Sequence, residues 1–134
     1  MSDLVTWLRA RLDEDERIAK AAFLRHSPND DRWAGDFGSG MKVRTGAGHL
    51  VVSHSWPNEI DHIARWDPAR VLAEVEAKRR ILDVYEWQVA NPSSGETGHW
   101  YQKGGIAALE GALRSLAAVY ADRPGYDPAW RVVE

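Results

Sequence analysis

The chain has 134 residues, 44% hydrophobic and 28% charged, with 17 Lys and Arg against 20 Asp and Glu and no cysteine. Such a composition describes one ordinary globular domain, long enough to bury roughly two-thirds of the surface its unfolded form exposes and so to fold without disulfide or structural metal. The absent thiols exclude a disulfide framework, thiolate zinc sites, iron–sulfur clusters and a cysteine nucleophile, and they accord with a reducing, cytoplasmic setting.

Acids and bases are nearly balanced along the whole chain, which leaves no basic face as positive evidence for nucleic acid. The first residues carry Asp3 where a secretion signal has bases, so no such signal is expected. No stretch approaches the ~18 apolar residues that cross a bilayer, because Glu110 and Arg114 interrupt the most apolar one.

Leu4, Leu8, Leu12, Ala19 and Phe23 recur at three- and four-residue steps and predict a helix over residues 2–26, capped by Ser2 or Asp3. Asp15 falls close to its apolar face and needs a partner or water. Turn-forming residues 27–31 end the helix, and the period then changes. Residues 41–45 alternate, residues 50–54 are rich in β-branched side chains, and Gly46-Ala47-Gly48 lies between, which predicts a β-hairpin; residues 33–37 add a third short strand. A short helical turn is expected over 58–64.

Asp67-Pro68, a capping acid before proline, opens a long helix over 68–89. Val71, Leu72, Val75, Leu82, Tyr85 and Val89 share one face of it, while Lys78 and Arg79 interrupt that face. Residues 91–104 read as a loop and 105–121 as a third long helix antiparallel to the second, with Ile106, Leu109, Leu113, Leu116 and Tyr120 as its stripe. Tyr126 and Trp130 then fold back, since two aromatic rings would otherwise stand in water. The fold class is α+β, one domain over 1–134: three main helices with a small antiparallel hairpin or three-stranded sheet.

Three segments carry a resemblance: LRARLDEDE at 8–16, HIARWDPARVLAEVEAKRRIL at 62–82, and YADRPGY at 120–126 followed by Trp130. In these the chain resembles a family of small uncharacterised actinobacterial and actinophage proteins, described only as a domain of unknown function. The resemblance implies, for many relatives, a zinc-like Cys-x-x-Cys with a further Cys between the second and third segments. This chain has His99 and no cysteine there, and the family brings no reaction or catalytic residue with it.

Glu59 and His62 have the Glu-x-x-His spacing of a carboxylate metal site, but a di-metal centre needs a second copy, and His62 is expected instead to cap or hydrogen-bond near the helix start at Pro68. Ser53 and His54 are adjacent, and strand neighbours point to opposite faces. Gly38-Ser39-Gly40 lacks the Lys-Ser/Thr of a phosphate-cradling loop. Lys78-Arg79-Arg80, interleaved with acids, offers only weak, salt-sensitive contact to phosphates.

What remains is an aromatic excess, seven tryptophans, and a second apolar patch on helix 68–89 made by Ile81, Val84 and Trp87 with Arg80 and Glu76 on its polar rim. The expectation is a non-catalytic intracellular interaction or regulatory protein, without cofactor or metal, that binds a protein partner or a second copy of itself at that patch. The alternatives are a metal-dependent enzyme or metal-binding protein using His, Glu or Asp ligands, and a nucleic-acid-binding module.

Overall fold

A computed structural model describes residues 1–24, 30–38 and 40–132. Within them lie helices α1 (Ser2–Leu24), α2 (Pro57–Arg65), α3 (Pro68–Ala90) and α4 (Glu96–Ala118), strands β1 (Trp33–Asp36), β2 (Lys42–Thr45) and β3 (Leu50–Val52), and one 3-10 turn (Pro128–Trp130). The class is α+β, with four helices where three main ones and a short turn were expected. The expected last residues of the first helix, and the turn at 27–29, lie outside the described residues. The chain divides into two compact units, Met1–Leu12 with Ala77–Glu134, and Asp13–Glu76.

In the first unit, Leu4, Leu8 and Leu12 stand one above another at four-residue spacing and are at most 1% exposed; Leu82, Tyr85, Leu113, Ala117 and Tyr120 are buried with them. Residues 91–95 reverse the chain between α3 and α4, and the pairs Tyr85–Glu110 and Gln88–Gln102 show the two helices running antiparallel. Arg9 of α1 holds Asp83 at 2.8 Å and also Glu86, both on α3, and these two carboxylates raise its pKa. Lys78, which breaks the apolar stripe in sequence, lies 5.9 Å from the Tyr120 ring, its charge set against a π face. The tail does fold back: Trp7 meets Trp130 at 5.3 Å and Tyr126 at 5.6 Å between ring centroids.

In the second unit the sheet runs β1-β2-β3, antiparallel throughout, with Gly35 opposite Val43 and Val43 opposite Val52. Val43 and Ile60 of α2 are wholly buried. A Cβ at Gly35 would come within 2.8 Å of Ile60 Cγ2, so the bare backbone of β1 is what lets α2 settle on the sheet. Asp67 works in two directions: Oδ1 accepts from the Arg70 amide at 2.9 Å, capping α3, and Oδ2 accepts from the Trp33 amide at 3.0 Å, tying β1 to that cap. The capping side chain is therefore Asp67 and not His62, whose exposed ring lies 6.3 Å from Trp66.

The strands, α2 and the end of α3 fall within two residues of the expected bounds, and the last helix differs most, ending at Ala118 where 121 was expected. The α4 helix begins at Glu96, nine residues before the expected start at 105, and the loop shrinks to 91–95. Glycines 98, 104 and 105 suggest a break, since each costs a helix about 1 kcal/mol against alanine. Tertiary contacts override that preference, and Gln102 supplies them. Its Nε2 donates to the carbonyls of Gln88 (2.8 Å) and Asn91 (2.6 Å), while its Oε1 accepts from the Ser93 amide at 2.5 Å. One side chain thus satisfies both the end of α3 and the turn after it.

Candidate functional site

The patch on α3 is open to solvent in a graded way. Trp87 is 63% exposed and Val84 49%, while Ile81 is half-buried. Arg80 and Glu76 are exposed on the same helix.

The early start of α4 adds to this patch residues expected in a loop. Trp87 and Tyr101, the latter 80% exposed, line one shallow cleft of about 380 Å³ with Gln88, Gln102 and Gly105. Trp100, 66% exposed, carries Lys103 at 5.8 Å from its ring. A second cleft of about 310 Å³ is lined largely by apolar groups, among them Val89, Pro92 and Ile106, with His99 and Lys103. Helical spacing from Gln102 through Ile106, Leu109 and Leu113 reaches only part of the way back to Glu96, and the glycines at 98, 104 and 105 interrupt it. The result is an aromatic surface held on two helices rather than on a loop, with Gln102 fixing the turn beneath it.

The polar candidates sort differently. Asp30, only 2% exposed, accepts from the Ala47 amide at 2.9 Å and meets His49 Nδ1 at 2.8 Å. Burial alone would push its carboxyl up, but hydrogen bonds from the Thr45 hydroxyl, the Ala47 amide and the His49 ring outweigh that and bring it down to about 2. An ionised Asp30 therefore gathers the β2–β3 loop around itself. Nothing local in the sequence marks it, because Asp30 reads as turn chemistry and His49 lies nineteen residues away.

Ser53 and His54 require a correction. The strand ends at Val52, and His54 takes a left-handed φ of 60°, which brings Nδ1 to 3.0 Å from Ser53 Oγ on the exposed surface. Glu59 and His62 are both exposed, and among the described residues no group of three or more His, Asp or Glu is placed to hold a metal ion. His26 lies outside the described residues. Buried between helices, Tyr85 donates to Glu110 at 3.2 Å; burial and then that carboxylate raise its pKa, which makes it a packing residue with a satisfied hydroxyl.

A family model described as a family of unknown function, DUF6221, matches residues 1–132. The chain belongs to that family. No curated protein and no solved structure matches it. This DUF6221 member is an α+β protein whose hairpin of α3 and α4 displays aromatic side chains, and among the described residues no helix is long and apolar enough to cross a membrane.

Proposed function

We propose that this chain is a non-catalytic interaction or regulatory protein that binds another protein through the outer surface of α3 and the first turns of α4. The observation that carries the reading is the cleft shared by Trp87 and Tyr101, two large aromatic groups more than half exposed on helices pinned together by Gln102. Aromatic side chains are enriched at the centres of protein interfaces, and each buries up to ~200 Å². At ~25 cal/mol per Å², covering the exposed parts of both contributes on the order of a few kcal/mol, enough to matter against the cost of association. Val84 and Ile81 extend the apolar centre, and Arg80 and Glu76 supply a polar rim. The three sequence segments support an actinobacterial or actinophage source, and the cysteine-free composition supports a cytoplasmic setting.

The test is charge substitution at the centre of the patch. Wild-type protein should retain a protein partner that Val84→Glu and Trp87→Glu lose, while their thermal unfolding stays within the ~0.5 kcal/mol typical of surface positions. Unchanged binding, or a large loss of stability, would overturn the reading.

A further inference from the structure

The cleft of about 310 Å³ where α3 ends and α4 begins joins two kinds of lining. Val89, Pro92 and Ile106 form an apolar wall, and Gln88, His99 and Lys103 supply polar groups. No carboxylate lines it, although acids outnumber bases in the whole chain. Among the described residues neither Lys103 nor His99 has an ion-pair partner, and of the acids on the flanking turns Glu86 is held by Arg9 while Glu110 accepts from Tyr85. The Lys103 amine rests 5.8 Å from the Trp100 ring, a weak contact at an exposed site that its flexible stem can leave without any movement of the backbone. Gln102, also in the lining, spends its amide nitrogen on two carbonyls of the turn. The carboxamide of half-buried Gln88 makes no hydrogen bond among the described residues.

We infer that this cleft binds a small carboxylate with an apolar body, its hydrocarbon against Val89, Pro92 and Ile106 and its charge at Lys103, with the Gln88 amide and the His99 ring donating hydrogen bonds beside it. The polar set decides the class. One lysine balances one negative charge and its neighbours are hydrogen-bond donors, which suits a monoanion better than a phosphate carrying nearly two charges. An amine would be repelled by Lys103, and an alcohol would leave it unpaired. The volume decides the size: it stands at the lower end of the roughly 300–1,000 Å³ of ligand clefts and is about twice the ~150 Å³ cavity that holds a benzene ring, which fits a molecule of about ten non-hydrogen atoms. Octanoate has that size. The inference goes beyond the protein-contact reading, since this lining shares only Gln88 and Gln102 with the cleft of Trp87 and Tyr101.

Three probes with the same tail, octanoate, octanol and octylamine, test it when each is titrated into the isotope-labelled full chain and followed by amide chemical shifts. Octanoate should bind with a Kd on the order of 1 mM, moving the amides of Val89, His99, Lys103 and Ile106, and the other two should bind about tenfold more weakly or less. Lys103→Gln should weaken octanoate about tenfold and leave octanol as it was, and Lys103→Glu should turn the preference toward octylamine. Lys103 is exposed, so both variants should unfold at the wild-type temperature. Val89→Ser, also at an exposed position, should weaken all three probes. Equal binding of the three, octanoate binding indifferent to Lys103→Glu, or shifts centred on Trp87 and Tyr101 would overturn the assignment. So would a short peptide ending in leucine with a free carboxylate that binds here, dependent on Lys103, where octanoate does not; the cleft would then belong to the protein-contact surface. None of these failures touches the outcome of Trp87→Glu, which judges the protein-contact reading separately.

Discussion

Trp7 Nε1 donates a hydrogen bond of 3.0 Å to the carbonyl oxygen of Pro124, joining the second turn of the first helix to the segment that follows the last one. The indole also packs edge-on against Tyr120 and Tyr126, and Gly125 lies beneath it with φ at 81°. A Cβ at Gly125 would come 3.2 Å from Trp7 Nε1, so glycine serves there both for backbone conformation and for close approach. Trp7→Ala should cost about 3 kcal/mol, and Gly125→Ala about 1–2 kcal/mol, in chemical denaturation. In both variants hydrogen exchange at residues 120–130 should rise more than in the sheet.

Gly35 provides the corresponding test in the sheet unit. Gly35→Val would drive a branched side chain into Ile60 and Phe37, and it should destabilise by about 1–3 kcal/mol although valine is the better strand former. The check is a urea titration followed by far-ultraviolet circular dichroism. A stabilised variant would show that α2 does not rest on β1 as described.

The pH dependence has a definite sign. The Asp30 carboxyl is lowered from 3.8 to about 2 on folding, so its contribution is present above about 4 and is lost as pH falls from there through about 2. Asp30→Asn should lower stability at neutral pH and flatten the acid limb of the stability profile in that window.

Gln102→Ala removes the three hydrogen bonds that close the turn between α3 and α4. A cost of about 1–3 kcal/mol is expected, with fraying confined to the start of α4. Amide exchange at residues 96–102 reads this directly, and unchanged protection there would contradict the clamp.

Local rules carried the elements whose signals are local. Asp67-Pro68 announces the start of α3 because the cap and the proline act within one turn, and Gly46-Ala47-Gly48 announces the hairpin because the strand period changes on either side. The third strand, Trp33–Asp36, follows from the need of a lone hairpin for further pairing. The start of α4 was not legible, since glycines at 98, 104 and 105 favour a loop unless Gln102 is known to reach back to α3. Nor was Asp30 legible, because what buries it is a loop far along the chain. The patch of Ile81, Val84 and Trp87 could be read as a second face of one helix; that Tyr101 stands across a cleft from it depends on where α4 begins.

The protein-contact reading of the α3–α4 surface is tested most directly by a photo-reactive amino acid placed at position 87, irradiated in the cell of origin. A discrete adduct to one protein, another or a second copy, is expected, lost when Val84→Glu is added and absent when the probe sits instead at Arg17, an exposed position of the other unit. The same diffuse labelling from positions 87 and 17, indifferent to Val84→Glu, would contradict it.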